Sequence, residues 1–597
     1  MEILPSQSQK SSQFQQNIRR QDRQLAAWTI GIFAIVSLIG ILRHEMWRDE
    51  LYAWMLARES SSLAELLFKL RHEGHPALWH LCLYGLQGLS QNPIIMQIFH
   101  WEIAVVNIVL LNGYAPFRRS HKILLSFSYF FLYEYALLSR NYSLSVLFLF
   151  LFCAIYTSAR LRGRRLYVPA LALSLVALAH TTAFGLLLSF ALSLLVWIEL
   201  WTSPRTVTPW LQRLLLPAAL LLGGWGLSLM QITQPLWRTG AFPNETRLAA
   251  GAVSDLGTMR PMAALLPDHL ALEPMEIAKR LAYTLVQIWK AYVPIPPLGE
   301  TNFWNLNFLV DSELLDLGPS LPLGLGLGIL LSGLLCAWSV WRLRRSRLTQ
   351  LLYISGVGLL YAFSFNFFWW GSQRHHGYLW LLFVACLWLL PTVGQRESKR
   401  GESGQRESGR KEFGEKSGTH PGEATGSSRS ANADSHPSQS WSQPWPKFWR
   451  DGFTWLLILQ AVAGCYFYSV DFLYPFATGQ STAEFIRRNQ LDQLTLVAMR
   501  DRPAASVSAY LNRPLFYPEL NRYGTHWTIY QPPSTPEQVA TRIDNLANRS
   551  APDLLLILNE PLDDLGLPLV GTVQPITSFE AIVDDDESFY LYRYSDR

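Results

Sequence analysis

Cysteine is scarce in this sequence, and the few cysteines present exclude a disulfide framework and a cysteine-ligated zinc site. Only five occur among 597 residues, and none forms a C-x-x-C pair or another metal-ligand spacing. Each lies in an apolar stretch, so we interpret them as small buried apolar side chains: Cys82, Cys153, Cys336, Cys386 and Cys465. The first apolar stretch, at 25–42, also lacks a small-residue cleavage site after it, which predicts an uncleaved anchor.

Charged residues are few as well. Asp, Glu, Lys and Arg make up 16% of the chain, whereas apolar residues make up 50%, and the net charge is +5. The basic residues cluster in short loops between apolar runs, which is typical of membrane proteins and not of nucleic-acid-binding proteins. We therefore expect membrane lipids, and no nucleic acid, as partners.

Long apolar runs occupy most of the chain. A helix needs about 20 mostly apolar residues to cross the hydrocarbon layer. About eleven candidate spans fall near 25–42, 94–113, 123–138, 143–160, 166–180, 183–201, 214–233, 321–341, 349–370, 378–392 and 453–472. The apolar stretch at 75–89 is short for a crossing, so we place it on the outer leaflet. Basic clusters at 19–23, 118–122, 160–165 and 342–347 then agree with one topology, with a cytoplasmic N-terminus.

This topology divides the chain into a membrane part and a separate C-terminal domain. We predict a cytoplasmic tail (1–24), a membrane domain (25–392) with outer loops at 43–93 and 234–320, a disordered cytoplasmic linker (393–452), a last span (453–472) and an extracytoplasmic α/β domain (473–597). The linker is rich in Gly, Ser, Arg and Glu and repeats GQRES at 394–398 and 404–408, so it cannot pack a core. In the C-terminal domain, periodicity predicts helices at 481–489 and 504–511, strands at 494–499 and 553–558, and an edge strand at 588–594.

The first outer loop carries two adjacent carboxylates, Asp49 and Glu50, in the segment HEMWRDE at 44–50. Ionised groups near the hydrocarbon layer are costly to bury and are usually functional. Alternatively, both carboxylates favour the positive N-terminal end of a helix at 50–58. An amphipathic surface helix with Glu65 and Lys69 follows, and then a Gly-Pro turn, EGHP at 73–76, which contains His75.

Further polar clusters fall at the outer ends of later spans. Glu134 lies in YEY at 133–135, and Arg140 and Tyr142 lie in SRNY at 139–142. The positive-inside rule does not explain a basic residue there, although Arg140 could instead reach lipid phosphate. His180, in LAHTTAFG, also faces outward, and its alternative is a packed, hydrogen-bonded histidine.

The last cluster is QRHHGY at 373–378, which contains Arg374, His375 and His376. Arginine and histidine are suitable donors to a phosphate group. Adjacent histidines could instead ligate a metal, but neighbours on one backbone rarely point at the same ion, so phosphate contact is favoured. All of these clusters fall on one membrane face.

In their order and sidedness these residues resemble the integral-membrane glycosyltransferases of the GT-C fold, especially the branch with protein mannosyltransferases and the aminoarabinose transferase of lipid A. The resemblance rests on Asp49-Glu50 after the first span, on the GHPALW turn at 74–79, and on SRNY at 139–142, with weaker matches at 179–181 and 374–375. It covers 25–200 and, more loosely, 350–392. Residues 473–597 match no catalytic part of the family.

The resemblance implies an α-helical polytopic protein of the plasma (inner) membrane, GT-C-like, with a small C-terminal α/β extracytoplasmic domain. It would move a sugar from a polyprenyl-phosphate donor to a glycan, lipid or protein acceptor on the outer face, with inversion. Asp49 or Glu50 would be the general base, and Arg140 and Arg374, with His375 or His376, would stabilise the leaving phosphate. Family members tend to have an arginine where this sequence has His100. The further candidate substrate-binding residues are Arg48, Lys69, His75, His100, Glu134, Tyr142 and His180.

Three questions stay open at this point. Some branches of the family use a divalent cation and others do not, so the resemblance allows either no cofactor or Mg²⁺ or Mn²⁺ at Asp49 or Glu50. A lipid or sugar transporter or flippase is the alternative function, although it would place ionisable residues mid-span and often contain repeats. A non-catalytic membrane scaffold is the third class, and it would tolerate replacement of Asp49 and Glu50.

Overall fold

Apolar helices long enough to cross a membrane form most of the molecule. The computed structural model describes residues 7–70, 73–162, 164–202, 210–238, 274–297, 304–311, 323–414, 451–527, 534–550 and 553–595. Within these ranges, eight helices are long and apolar enough to span a bilayer, and two shorter apolar helices, Tyr142–Thr157 and Tyr167–Ala179, accompany them. About eleven spans were predicted.

The membrane part contains sixteen labelled helices among its described residues. In chain order they are α1 (Gln7–Arg43), α2 (Arg48–Arg58), α3 (Leu63–Lys69), α4 (Leu78–Leu86), α5 (Ile94–Tyr114), α6 (Arg119–Ser126), α7 (Tyr142–Thr157), α8 (Tyr167–Ala179), α9 (Ala183–Thr202), α10 (Trp210–Arg238), α11 (Pro274–Leu285), α12 (Gln287–Tyr292), α13 (Leu323–Arg342), α14 (Arg347–Phe363), α15 (Gln373–Gly414) and α16 (Gly452–Leu473). Helices suit this environment because each satisfies its own backbone hydrogen bonds in lipid.

Many of these helices point large apolar side chains outward. Trp28 and Ile35 on α1, Leu222 on α10 and Leu330 on α13 are 71%, 63%, 62% and 60% exposed. Exposure of such apolar surfaces to water is unfavourable, whereas contact with lipid tails is not. The chain is therefore a multi-pass membrane protein, which confirms the predicted α-helical polytopic class.

The segment 123–138, which hydropathy predicts as one span, is broken. Helix α6 ends at Ser126, a π-helical turn covers Tyr129–Glu134, and the chain then turns before α7 begins at Tyr142. The nearby prediction for 75–89 agrees better with the structure, because α4 is a nine-residue helix and is not among the candidate spans.

Different residues lie at the two ends of the bundle. At one end Arg119 contacts Asp22, and Arg396 contacts Glu199. The opposite end holds the C-termini of α1 and α16 and the N-terminus of α15, and it carries α2 to α4. Helix α15 continues past 392, where the linker was predicted to begin, and residues 415–450 of that linker lie outside the described residues.

A small α/β domain follows α16. Its elements are α17 (Gly479–Arg488), β1 (Thr495–Ala498), α18 (Asp501–Leu511), β2 (Leu515–Tyr517), β3 (Arg522–Gly524), α19 (Pro536–Ser550), β4 (Asp553–Leu558), α20 (Leu562–Leu565), β5 (Thr572–Phe579) and β6 (Phe589–Ser595). The six strands form one sheet in the order β3-β2-β1-β4-β6-β5. The predicted small α/β domain is thus confirmed.

The central strands of this sheet are parallel and its outer pairs antiparallel. Strand β1 runs parallel to β2 and β4, with Val497 opposite Phe516 and Leu556. Strand β6 lies between β4 and β5 and runs antiparallel to both, so the prediction of an edge strand at 588–594 is wrong. The edge strand on this side is β5, which pairs with β6. It contains Pro575 at a register shift, where the missing backbone N–H donor is tolerated.

Candidate active site

Helix α2 places the two adjacent carboxylates in different surroundings. Trp47 is its N-cap, and Glu50 at the third helical position accepts a hydrogen bond from the Trp47 backbone N–H at 3.3 Å. Both carboxylates favour the positive end of the helix. Glu50 is completely buried, however, whereas the side chain of Asp49 is 14% exposed. Only Asp49 is thus accessible to a substrate.

Glu50 belongs to a buried chain of charged groups. His44 lies between two carboxylates, with its Nε2 2.9 Å from Glu50 Oε2 and its Nδ1 2.9 Å from Asp471 Oδ2. Burial alone would lower the pKa of His44, but the charges of Asp471 and Glu50 outweigh it and raise the pKa to about 10. A protonated His44 therefore joins α1, α2 and α16 at the outer end of the predicted topology.

The other oxygen of Glu50 supports the broken segment before α7. Glu50 Oε1 accepts a hydrogen bond from the backbone N–H of Ser139. The next residue, Arg140, donates from its guanidinium to the backbone carbonyl of Asp49. Irregular backbone at membrane depth needs such partners. Glu50 thus positions Arg140 beside Asp49.

Three arginines from distant parts of the chain surround Asp49. Arg374 Nη2, from the start of α15, lies 3.2 Å from Asp49 Oδ2. Arg502 Nη2, from α18 of the C-terminal domain, lies 3.9 Å from Asp49 Oδ1. Burial raises the pKa of Asp49, but Arg140, Arg374 and Arg502 outweigh it and lower the pKa to about 2. One carboxylate therefore faces an excess of positive charge.

Aromatic rings shape the wall of this cluster. The Arg374 guanidinium carbon lies 5.4 Å from the ring centroid of Trp47 and 5.6 Å from that of Trp304. The two indoles contact each other edge to face. Nε and Nη1 of Arg374 are buried and have no hydrogen-bond partner among the described residues. No described protein group therefore uses these two donors.

The turn at 73–76 places a second carboxyl group near the arginines. Glu73 accepts a hydrogen bond from the Tyr52 hydroxyl, and its Oε2 lies 3.9 Å from His80 Nε2. Burial raises the pKa of Glu73 to about 7, although the charge of Arg140 opposes the shift. Sequence reasoning used Glu73 only as part of a turn. The sequence feature that could have identified Glu73 as a site residue is its position directly before Gly-His-Pro.

His75 lies beside the same arginines. It is buried, and burial together with the charges of Arg140 and Arg374 lowers its pKa to about 3. A neutral imidazole adds no charge to the cluster, but it can donate or accept one hydrogen bond. The structure thus brings His75 close to the arginines that surround Asp49.

The two adjacent histidines of α15 point to different surroundings. His375 Nε2 lies 3.0 Å from the Tyr142 hydroxyl, and its Nδ1 lies 3.0 Å from the Ser372 hydroxyl. His376 is buried nearest to the charge of Lys290. His375 and Tyr142 therefore stabilise the junction of α7 and α15 behind Arg374.

Other predicted site residues have partners outside the Asp49 cluster. Glu134 accepts hydrogen bonds from Tyr129 and Trp304. His100 is buried with its ring edge to face with Trp79. His180 is half-buried and hydrogen-bonded to Gln231, and Lys69 contacts Glu65 and the carbonyl of Glu59. None of these contacts includes Asp49, so their predicted substrate roles stay predictions.

Arg48 faces the C-terminal domain and not the carboxylate next to it. Its guanidinium lies 3.1 Å from Asp584, 3.2 Å from Asp586 and 3.6 Å from Glu587, and its backbone N–H donates to Glu587 Oε1 at 2.5 Å. Burial and the nearby Asp584 charge raise the pKa of Glu587 to about 8, although Arg48 opposes the shift. Arg48 thus attaches the domain to the first outer loop.

The surroundings of Asp49 do not suit a divalent cation. Among the described residues, no group of three or more His, Cys, Asp and Glu side chains is arranged to hold a metal ion. The three guanidinium groups around Asp49 would repel Mg²⁺ or Mn²⁺. The same positive charge fits a phosphate group.

Comparisons with known proteins give a structural likeness. No family model and no curated protein matches the chain. The chain is similar to the crystal structure of ArnT from Cupriavidus metallidurans bound to undecaprenyl phosphate, with 11% identity, a TM-score of 0.42, and coverage of 95% of this chain and 97% of that chain.

Proposed function

We propose that the protein is a membrane glycosyltransferase that takes a sugar from a polyprenyl-phosphate donor and transfers it at the Asp49 site. The observation that carries this proposal is the placement of one ionised carboxylate among Arg140, Arg374 and Arg502. A reaction that releases a phosphate anion needs cationic donors where negative charge develops. It also needs a group that accepts a proton from the acceptor hydroxyl.

The two requirements are coupled through charge in this site. In the free protein the positive charges of the arginines stabilise the ionised form of Asp49, which makes this carboxylate a weak base. A bound donor phosphate takes over the guanidinium groups, beginning with the unpaired Nε and Nη1 of Arg374. The pKa of Asp49 then rises toward its ordinary value, which makes it a better proton acceptor for the attacking hydroxyl. Attack opposite the leaving phosphate inverts the anomeric carbon.

The site belongs on the outer face in this proposal. The basic clusters at 19–23, 118–122, 160–165 and 342–347 lie at the ends of spans, and Arg119 and Arg396 make their contacts at the end of the bundle away from Asp49. Basic loops stay on the cytoplasmic side. The acceptor is then a glycan, lipid or protein of the cell envelope.

The test is a transfer assay with the full-length protein in lipid nanodiscs and a panel of labelled polyprenyl-phosphate sugars. We expect transfer by the wild type and a loss of about 100-fold or more for Asp49→Asn and Arg374→Ala. Glu65→Gln is the matched control, since Glu65 lies in the same loop but pairs with Lys69 on the surface. Wild-type activity in both variants would overturn the proposal, as would a wild type that transfers no sugar from any donor.

A further inference from the structure

The C-terminal domain contributes a cation to the site. Arg502 lies in the first turn of α18, and its Nη2 is 3.9 Å from Asp49 Oδ1. Its side chain is only 18% exposed, and its Nε is buried without a hydrogen-bond partner among the described residues. An arginine that served only to stabilise the domain would be expected to use its donors on protein groups.

Other residues already attach the domain to the first outer loop. Tyr52 stacks on Trp527 with ring centroids 3.9 Å apart, and the Met46 backbone N–H donates to the Tyr510 hydroxyl at 3.1 Å. Arg48 supplies the ionic contacts with the acidic residues of the domain. Docking therefore has several contacts besides Arg502, whose guanidinium carbon lies 5.9 Å from the ring centroid of Trp527. The position of Arg502 beside Asp49 needs a further explanation.

The charges at Asp49 provide that explanation. Arg140, Arg374 and Arg502 all lower the pKa of the Asp49 carboxyl, so three cations lie around this carboxylate. Asp584 and Asp586 also act on Arg502, but their ion pairs are with Arg48. Burial lowers the pKa of Arg502, because it removes water from the charged guanidinium, although the charge of Asp49 opposes the shift. Arginine nevertheless stays protonated in proteins. A second anion between these guanidinium groups would balance the charge.

We propose that Arg502 is a substrate-binding residue that holds a phosphate group of a substrate together with Arg140 and Arg374. The C-terminal domain thereby completes the site. The inference rests on the proposed function. The phosphate belongs either to the donor lipid or to a phosphorylated acceptor, and both offer the same chemistry to a guanidinium group.

Binding of undecaprenyl phosphate alone, to full-length protein in nanodiscs, tests the inference without requiring transfer. We expect Arg502→Ala to weaken this binding by about tenfold or more if the site holds the donor phosphate. Arg502→Lys should recover only part of the affinity, since an ammonium group cannot reproduce the guanidinium fork. Arg500→Ala is the matched control, because Arg500 is two residues away, 54% exposed and paired with Glu560 at 2.9 Å.

Kinetics distinguish the two sources of phosphate. If the phosphate is the donor's, Arg502→Ala raises the KM for the donor; if it is the acceptor's, undecaprenyl phosphate binding is unchanged and the KM for a phosphorylated acceptor rises. Unchanged binding together with unchanged KM for both substrates would overturn the inference, even if the variant unfolds at a lower temperature. A wild type that binds undecaprenyl phosphate but transfers no sugar would contradict the proposed function and leave the binding test of Arg502 in force.

Discussion

At the scale of single residues, the adjacent carboxylates of α2 serve different purposes. Successive residues on a helix point about 100° apart, so Asp49 faces the arginines and Glu50 faces His44 and Ser139. The sequence predicts that one of the pair is essential, but it cannot tell which. The choice depends on Asp471 and Arg374, which lie more than 300 positions away along the chain.

Glu50→Gln should destabilise the protein much more than Asp49→Asn does. Removal of the Glu50 charge leaves His44 with one buried carboxylate partner and weakens the support of Ser139. Breaking a buried ion pair in this way costs about 3 kcal/mol. Chemical unfolding in detergent measures the difference. Equal stabilities of the two variants would show that the His44 chain does not hold α1, α2 and α16 together.

Glu73 should make donor affinity depend on pH near neutrality. Its pKa is raised to about 7, so it is protonated at lower pH and becomes an anion as the pH increases through about 7. The groups around it are Tyr52, His80, His526, Asp49 and Arg140. An added negative charge beside Arg140 opposes phosphate binding.

The KM for the donor should therefore rise as the pH increases from about 6 to about 8. The donor is a phosphodiester and does not titrate in this range, so its own charge stays constant. Glu73→Gln should show the low-pH KM throughout, because glutamine resembles the protonated form. A variant with the same pH dependence as the wild type would assign the effect to another group.

At the scale of elements, the broken segment before α7 shows where sequence reasoning reaches its limit. Hydropathy correctly predicts an apolar, buried stretch at 123–138. It cannot predict the break at Ser126. The turn that follows is stabilised by the bond from the Ser139 N–H to Glu50, 89 positions away from Ser139, and by close packing of α16. The C-terminal strand β6 shows the same limit, because the partner that removes it from the edge, β5, is only weakly apolar.

Gly464 on α16 permits this close packing. A Cβ atom there would lie 2.6 Å from the Phe127 carbonyl oxygen and 2.9 Å from the Tyr129 backbone nitrogen. Backbone atoms cannot move aside as a flexible side chain can, so Gly464→Ala should destabilise the protein by about 1–3 kcal/mol. Gly333→Ala on α13 is the control, because a Cβ there meets nothing within 4 Å. Equal unfolding temperatures of the two variants would contradict this prediction.

At the scale of the whole molecule, the membrane class and the small α/β domain were predictable because hydropathy and periodicity are local signals. The contact between that domain and Asp49 was not predictable. It depends on single residues, Arg502 and Trp527, that carry no motif. A site assembled from distant segments can be recognised from sequence only where each segment has its own pattern.

The proposed topology predicts which side of the membrane each part occupies. Asp563, exposed in the C-terminal domain, and Arg164, exposed between α7 and α8, should lie on opposite sides. We expect a membrane-impermeant maleimide to label Asp563→Cys in intact cells and Arg164→Cys only after lysis. The wild type, with its own five cysteines, gives the background. The reverse pattern would place the site in the cytoplasm.

The contact between His44 and Asp471 also constrains biosynthesis. These residues lie 427 positions apart; His44 directly follows α1, and Asp471 lies on α16. During translation, Asp49, Arg140 and Arg374 all leave the ribosome before α16 does, yet His44 remains without its Asp471 partner until α16 inserts. We therefore expect a chain that stops before 452 to leave His44 without its Asp471 partner and to be inactive.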